Sequence, residues 1–371
     1  MLSWGDEYPI HQTAEPVAFS GTDRNFYDRY FFNAYSGDGD VFFAMAFGVY
    51  PHLNIMDGAI SILRNGVQRS VFLSRPMGME RMDTQIGGLS IEVLQPLKSV
   101  RIRLKETEGI SFDLTFEGRA FPVEEPRFTR RQGVRTLMDV TRMTQNGRWS
   151  GHITIDGETI TVSSDDWMGT RDRSWGVRPI GAADDQPILP PVPMQFYWIW
   201  TPLNFGDRAV YFHVNEDENG EAWNISGKIV HDGAGANDHI EAAECVHTIK
   251  YKSDTRHAAS GKITLKMHDK SEVKITLEPL ATFQMKGIGY GHPEWKHGIF
   301  HGDQLAIHTE TYDTQSLNSL APENLHIQAL SRATMTDADG TVHTGIGSYE
   351  QLVIGPHGPS GFKGILDGAS N

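Results

Sequence analysis

Short runs in which apolar and polar residues alternate recur along most of the chain, and this pattern constrains the fold more than any other feature. ISFDLTFEG (110–118), HITIDGETITVSS (152–164) and GKITLKM (261–267) are examples, and most runs stop at Gly, Asn or Asp. A period of two with turn residues at the ends is typical of half-buried antiparallel strands. Helix signals are scarce: only the segment after Arg127 could support a short helix, which Gly133 would weaken. We therefore predict an all-β protein with little helix.

An internal repeat suggests two similar modules. When Val41–Phe43 is laid over Val210–Phe212, each is preceded by an aromatic strand and a Gly/Asp turn. The interpretation predicts an N-terminal module at 1–183, a rigid Pro-rich connector at 184–195 and a C-terminal module at 196–371. Antiparallel modules of this size form sandwiches or closed barrels, and a barrel of about eight strands can hold one small apolar ligand.

Charge and cysteine usage exclude several functions. The chain of 371 residues carries a formal charge of -14, which repels a phosphate backbone, so we expect no nucleic-acid partner. Cys245 is the only cysteine, which rules out an intrachain disulfide and fits a reducing compartment. The chain has no signal-like start and no long apolar run, so we expect a cytoplasmic protein without membrane insertion. Homo-oligomerisation stays open.

A dense charged cluster stands at GTRDRSWGVRP (169–179). As a strand it would place Asp172 on one face with hydroxyl residues, and Arg173 and Trp175 on the other. If the Asp172 face lines a barrel, desolvation would raise the pKa of the carboxyl and make it a general acid. If an arginine reaches it, Asp172 becomes a fixed anion. The competing hypothesis is an Arg–Asp network, including Arg178, that only pins the junction of the modules.

Aromatic residues are concentrated in the segment QFYWIWTPL (195–203), which supplies Tyr197, Trp198 and Trp200, and His213 follows on the next strand. Such density is typical of a core. The alternative is a cavity lined by aromatic faces, which would hold an olefinic chain and stabilise a carbocation.

The segment GYGHPEWKHGIFHGD (289–303) is rich in histidine. Its His-x-Glu-x-x-His spacing invites a zinc hypothesis, but Pro293 and Gly298 are poor helix residues and the HExxH arrangement is absent, so we expect no metal. The loop either structures the mouth of a pocket, with Tyr290 and Trp295 in its wall, or uses His292 or His297 in acid–base chemistry. Nucleotide-binding glycine motifs are also absent, and we expect no cofactor.

Two of these segments carry a family resemblance. G-T-R-D-R-S-W-G (169–176) resembles a signature of the carotenoid 1,2-hydratase (hydroxyneurosporene synthase) superfamily, and GYGHPEWKHG (289–298) looks like a second signature, of an uncharacterised bacterial branch. The resemblance implies a tandem-lipocalin, or double calycin, fold, which is also used by decalin-forming Diels-Alderases. It further implies cofactor-free acid chemistry on an apolar, often isoprenoid, molecule.

The family's catalytic aspartate would be Asp172, and its Trp-Gly pair would be Trp175 and Gly176. This chain departs from the carotenoid hydratases around that aspartate. Those enzymes have Tyr, His and His-Asn where this chain has Thr170, Arg171 and Arg173-Ser174. The added guanidiniums could keep Asp172 ionised and could anchor a polar or carboxylate-bearing substrate.

We therefore predict a hydratase, isomerase or cyclase that acts on a hydrophobic, terpenoid-like or aromatic alkene. The alternatives are a non-catalytic carrier of an apolar ligand and a pericyclase. The predicted catalytic residues are Asp172, His292 and His297. The predicted substrate-binding residues are Arg173, Trp175, Arg178, Tyr197, Trp198, Trp200, His213, Tyr290 and Trp295.

Overall fold

The computed structural model describes residues 2–11, 16–19, 23–187 and 194–370. Alternating sequence runs form strands in both halves of the chain. In chain order the strands are β1 Phe26–Tyr35, β2 Val41–Tyr50, β3 Ile55–Arg64, β4 Val67–Pro76, β5 Gln85–Ile86, β6 Leu89–Gln95, β7 Ser99–Thr107, β8 Ile110–Gly118, β9 Val123–Glu124, β10 Phe128–Gln132, β11 Arg135–Ile155, β12 Glu158–Val162, β13 Met168–Val177, β14 Phe196–Asn204, β15 Arg208–Glu216, β16 Ala222–His231, β17 His239–Glu241, β18 Glu244–Tyr251, β19 Ala258–Lys266, β20 Glu272–Gln284, β21 Ala306–Asp313, β22 Ile327–Thr336 and β23 Val342–Ile354.

The chain forms two compact units. The first consists of Met1–Pro190 and Gly287–Tyr312, and the second of Pro191–Lys286 and Asp313–Asn371. Residues 287–312 thus belong to the first unit, whereas the sequence-based division places them in the C-terminal module. The predicted connector lies partly outside the described residues, because 188–193 fall in the gap between the described ranges.

Each unit is built on one antiparallel sheet, and the two sheets share a strand order. The first runs β21-β4-β3-β2-β1-β13-β11-β8-β7-β6-β5, and the second runs β17-β16-β15-β14-β23-β22-β20-β19-β18. In the first sheet β1 pairs with β13 and β2, and in the second β14 pairs with β23 and β15, so nine strands correspond from β4 and β17 onward. The repeated segments Val41–Phe43 and Val210–Phe212 lie on corresponding strands, β2 and β15.

Each sheet buries one face in its own hydrophobic core. The first core gathers alternate residues of the central strands, such as Tyr30 and Phe32 of β1 and Phe47 of β2. The second core includes Tyr197 and Ile199 of β14 and Phe212 of β15. Successive side chains point to opposite faces of a strand, so each sheet also has a second face. On β2 that face is buried too, and all ten residues of the strand are buried.

The segment after Arg127, which the sequence left open as a short helix, forms strands. Phe128–Gln132 and Arg135–Ile155 form a hairpin, β10 and β11, and Gly133 adopts a φ of 58° at its turn. Glycine tolerates this left-handed conformation, so the residue that weakened the helix forms the turn. Helices in the described ranges are short 3-10 turns: Trp4–Glu7, Pro51–Leu53, Met285–Ile288, Pro322–Asn324 and Gly358–Ser360. None of them has the length and apolar character needed to cross a bilayer.

Candidate functional site

The candidate site lies on the face of the first sheet opposite its core, which we call the polar face. Strand register places its side chains in two adjacent rows. One row, from β4 to β11, is Ser74, Asp57, Gly48, Arg29, Ser174 and Arg142. The next row is Phe72, Ala59, Ala46, Phe31, Asp172 and Thr144.

Asp172 is 9% exposed and lies in a charged neighbourhood. Burial lowers the pKa of the nearby Arg142, but the negative charges of Glu125 and Asp172 outweigh it and raise that pKa above its ordinary value. Arg142 also pairs with Glu125 at 3.2 Å, and the Thr144 hydroxyl donates to Glu125 at 2.5 Å. Asp172 therefore lies within electrostatic reach of the Arg142 guanidinium.

Asp57, on β3, is the carboxyl of the polar face that can hold a proton near neutral pH. Burial raises its pKa from 3.8 to about 6, although a bond from the Gly298 amide and the Arg29 charge act in the opposite direction. The Gly298 amide donates to Oδ2 at 2.6 Å, and the Tyr50 hydroxyl donates to Oδ1 at 3.1 Å. Gly48 leaves room for this arrangement, because a Cβ there would collide with the Tyr50 hydroxyl.

Sequence reasoning missed Asp57. The available signal was one carboxylate in an otherwise apolar strand, IMDGAISIL. An isolated charge in such a strand is costly to bury unless it is bonded or protonated.

Asp57 borders a cavity of about 10 Å³, which is close to the volume needed for one water molecule. The aromatic part of its wall is Phe72 and Trp295, and His297 also lines it. The lining further includes Ala46, Gly58, Ala59, Leu73, Ser74, Ile288, Gly289, Lys296, Ile299 and His301.

His297 positions a buried arginine. The guanidinium nitrogens of Arg29 lie 2.9 Å from its Nδ1 and 2.6 Å from its Nε2, and Nε2 is 2.8 Å from the carbonyl oxygen of Ile288. Both ring nitrogens are therefore engaged. In this arrangement His297 orients Arg29 and has no nitrogen left for proton transfer.

His292 organises the turn of its own loop. Its Nδ1 accepts bonds from the amides of Glu294 and Trp295, at 3.1 and 2.8 Å, and its Nε2 lies 2.9 Å from Glu310. The bond from His292 lowers the pKa of Glu310. This geometry supports a loop-structuring role, and Glu310 and the nearby His308 were not predicted from the sequence.

Trp295 lies between two imidazoles. Its ring stacks on His301 at 3.7 Å and on His308 at 5.4 Å, with interplanar angles of 10° and 7°. Four histidines and two glutamates of this region come within a short span, yet no three acidic, histidine or cysteine side chains in the described chain are placed to hold a metal ion.

Arg178 and Tyr290 extend the polar face. The Arg178 guanidinium lies 4.4 Å from the ring centre of Tyr27 and 5.7 Å from that of Tyr290, and Arg29 lies 4.4 Å from the Tyr290 ring. Burial raises the pKa of Tyr27, while the Arg178 charge opposes the rise. The predicted residues Asp172, Arg178, Tyr290 and His297 thus belong to the same unit and face.

Arg173 and Trp175 lie on the opposite face from Asp172, as the alternation predicted, but that face is the core side. Arg173 opposes Tyr30 in the sheet, bonds Asp28 at 2.6 Å and stacks on the Tyr30 ring at 3.8 Å. Trp175 stacks on His11 at 3.7 Å. Of the two alternatives for Asp172, the structure does not show the one in which its face lines the core side, because the core residues Tyr30 and Phe32 of β1 lie opposite Arg173 and Arg171 and share the arginine face.

The predicted aromatic residues after residue 195 belong to the second unit. Tyr197 points into that unit's core and stacks on His357 at 4.1 Å. Trp198 and Trp200 alternate with it and lie on the second face, where Trp198 donates to Glu350 at 2.9 Å and packs 5.8 Å from His213. Each of these side chains is at least nine-tenths buried.

The fold and this polar face define an all-β protein of two calycin-like modules, as predicted from the sequence. The model of a family of unknown function, DUF8625, matches residues 2–363, and the chain belongs to that family. No curated protein matches the sequence.

Several solved structures share the fold at low sequence identity. The Nitrosomonas europaea protein assigned as AttH is 13% identical, with a TM-score of 0.52, over 92% of this chain and 96% of that one. Kievitone hydratase from Nectria haematococca is 12% identical, with a TM-score of 0.50, over 93% and 97%. CghA is 10% identical, with a TM-score of 0.51, over 91% of each chain.

Proposed function

We propose that the chain is a cofactor-independent enzyme of the hydratase, isomerase or cyclase type. It acts by acid catalysis on a hydrophobic alkene, terpenoid-like or aromatic, at the polar face of the first unit. The observation that supports this most is Asp57: a carboxyl with a pKa of about 6 borders a cavity walled by Phe72 and Trp295. The likeness of two segments to the carotenoid 1,2-hydratase superfamily, and the fold shared with a protein named kievitone hydratase, support the same class.

In the proposed hydration, Asp57 gives its proton to one alkene carbon. The π electron pair forms the new C–H bond and leaves a cation on the neighbouring carbon. The Phe72 ring stabilises that cation through its quadrupole, and Trp295, whose ring is stacked between His301 and His308, lines the wall beside it. Water then adds to the cation and returns a proton to the Asp57 carboxylate, which restores the acid.

Asp172 has a different proposed role from that of Asp57. The two residues lie on strands three steps apart, β3 and β13, which is a lateral separation of roughly 14 Å. They cannot act on the same carbon. We assign Asp172 to electrostatic stabilisation at the far end of an elongated site, and His292 and His297 to holding the loop and Arg29 in place.

Substrate entry requires the loop 289–303 to move, because the cavity beside Asp57 is far smaller than an alkene. The loop contains Gly289, Gly291, Gly298 and Gly302, all with φ between 67° and 103°. Such positions suit hinges, since glycine adopts this backbone conformation without steric cost.

The test is turnover of geraniol and of 4-vinylphenol in isotopically labelled water, with the gain of one water followed by mass spectrometry. We expect Asp57→Asn to abolish hydration and Asp172→Asn to reduce it less. Asp113→Asn serves as the matched control, because Asp113 pairs with Arg101 at a half-exposed site on β8. Wild-type activity should fall as the pH rises through about 6, where Asp57 loses its proton. Unchanged turnover in Asp57→Asn would remove that residue from the mechanism.

A non-catalytic carrier is the second candidate. A cavity of about 510 Å³ in the second unit favours it, since Ile229, Ile240, Met267 and Val273 form an apolar part of its wall. Native mass spectrometry of the isolated protein would show an unmodified ligand in that case.

A pericyclase needs no acid. Asp57→Asn should then cost little, while Trp295→Ala should cost much. The lone, free Cys245 supports a cytoplasmic location for any of these functions.

A further inference from the structure

We infer that the substrate of the polar face carries a carboxylate, and that Arg178 and Arg29 bind it. The inference rests on the proposed function in one respect, because it names the substrate class of the same site. It follows from two guanidiniums to which the described residues supply aromatic rings but no paired carboxylate.

Arg178 is the first of these cations. Within the described part of the chain its guanidinium forms no hydrogen bond and no ion pair, and its Nε is buried without a hydrogen-bond partner. Its contacts are the faces of Tyr27 and Tyr290. The side chain as a whole is half-buried, so a ligand can reach it.

Arg29 is the second, and it is 1% exposed. Its terminal nitrogens contact only an imidazole, that of His297, and its Nε is buried with no hydrogen-bond partner. The Tyr290 ring lies 4.4 Å from its guanidinium. Among the described residues no carboxylate pairs with it.

The other fully buried arginines show how this chain normally accommodates the charge. Arg81 lies 3.8 Å from Asp28, and shorter ion pairs hold the remaining three. These are Arg171 with Glu7, Arg173 with Asp28 and Arg256 with Asp367, each at 2.6 Å. A buried charge is costly unless it is paired. The buried Arg29, with the half-buried Arg178 on the same face and no carboxylate bonded to either among the described residues, therefore indicates a counter-charge that arrives with a ligand.

The Asp57 carboxyl is not the counter-ion of Arg29 or Arg178. Asp57 acts on both cations at a distance, but its oxygens are bonded to the Tyr50 hydroxyl and the Gly298 amide. The planar fork of a guanidinium matches a carboxylate with two parallel bonds. The rings of Tyr27 and Tyr290 beside the fork suit an aromatic or alkenyl body attached to that carboxylate.

The spacing of the strands determines how far the substrate's carboxylate lies from the carbon that is protonated. Arg29 on β1 and Asp57 on β3 are two strands apart, which is roughly 10 Å. A carboxylate at Arg29 and Arg178 would therefore place a carbon several bonds away beside the proposed acid.

The experiment measures binding without turnover. trans-Cinnamate carries an aromatic alkene and a carboxylate, and cinnamamide is its neutral match; benzoate and acetate are smaller carboxylates. By calorimetry we expect cinnamate to bind at least about tenfold tighter than cinnamamide. Arg178→Gln should remove that difference, Arg178→Lys should keep part of it because the charge stays while the fork is lost, and Arg101→Gln should leave it unchanged, since Arg101 already pairs with Asp113.

Four outcomes would overturn the inference. The first is equal affinity for cinnamate and cinnamamide, the second is a preference that survives Arg178→Gln, and the third is no binding by any of the three carboxylates. Glu15 is the one acidic side chain outside the described ranges, so tighter cinnamate binding by Glu15→Gln would show that the chain supplies the counter-charge itself and would also refute the inference. Asp57→Asn should still prefer cinnamate to cinnamamide, because both arginines remain, so a failure of the proposed acid catalysis would leave this result intact.

Discussion

The two sheets share a strand order, yet the carboxyl groups on their second faces have opposite properties. In the first unit, Asp57 accepts one hydrogen bond from a backbone amide and one from a tyrosine hydroxyl, and burial raises its pKa to about 6. In the second, Glu350 is 7% exposed and receives bonds from Trp198, His326 and Gln328, and its pKa is lowered although burial opposes this. The number and charge of the donors, rather than burial alone, decide which carboxyl keeps a proton.

The core sides differ in a parallel way. The first unit neutralises Asp28 with the guanidinium of Arg173, a cation at all ordinary pH values. The second places Glu216 between the imidazoles of His247 and His357, at 2.7 and 2.8 Å. The same architecture thus holds one buried carboxylate with a guanidinium and the other with two imidazoles.

Removing Arg173, the guanidinium partner of Asp28, is expected to have the largest effect on stability. Arg173→Met leaves Asp28 buried, with the more distant Arg81 and the titratable His11 as its remaining partners. We expect a loss of about 3–5 kcal/mol in the free energy of unfolding, because an uncompensated charge stays in the core. Urea denaturation followed by fluorescence measures it.

Arg101→Met is the control for this change, since its ion pair with Asp113 is partly exposed and should cost under about 1 kcal/mol. The double variant Asp28→Asn with Arg173→Met should be more stable than Arg173→Met alone. Equal losses in Arg173→Met and Arg101→Met would contradict the contrast between the two cores.

The sequence predicted the strands, the repeated order and the alternation of β13, because these depend on neighbours two residues apart. It did not predict the chemistry of the polar face. The Asp57 carboxyl is bonded by the amide of Gly298, 241 positions away, and Arg29 is held by His297, 268 positions away. The loop that carries both partners is long and irregular, so its place on the sheet has no periodic signal, and the lone carboxylate in an apolar strand was the only hint.

The titratable core charge of the second unit is tested by Glu216→Gln. Burial alone would raise the pKa of Glu216, but the bonds from His247 and His357 lower it from 4.5 to about 2. A depressed pKa stabilises the fold above pH 4.5, and this contribution is lost as the pH falls toward 2. We expect wild type to exceed the variant by roughly 3 kcal/mol near neutral pH and to lose that advantage in acid.

Urea titrations at a series of pH values measure this difference. Glu244→Gln is the control, because Glu244 forms an exposed pair with Lys266. A wild-type advantage that does not change with pH would mean that the two imidazoles do not hold Glu216 ionised.

The contribution of Asp57 to the pH dependence of stability should have the opposite sign to that of Glu216. The pKa of Asp57 rises on folding from 3.8 to about 6, so the native state binds the proton more tightly than the unfolded chain and stability falls as the pH rises through this interval. Asp57→Asn should remove a loss of roughly 2 kcal/mol, since its partial exposure screens the full effect. Chemical denaturation at both ends of the interval measures it, and a variant that keeps the wild-type slope would assign the slope to another group.

The smallest effect should come from removing one hydrogen-bond donor of Glu350, which makes its surroundings more like those of Asp57. Trp198→Phe deletes one of its three donors and leaves His326 and Gln328, so we expect a loss of about 1 kcal/mol in stability. The same deletion should raise the pKa of the Glu350 carboxyl, which carbon NMR of labelled glutamate follows directly. Trp4→Phe, at a side chain that is 75% exposed, should change neither quantity. If the pKa of Glu350 stays where it is while stability falls, the indole contributes packing alone, and the remaining two donors are sufficient to keep this carboxyl ionised where Asp57 is not.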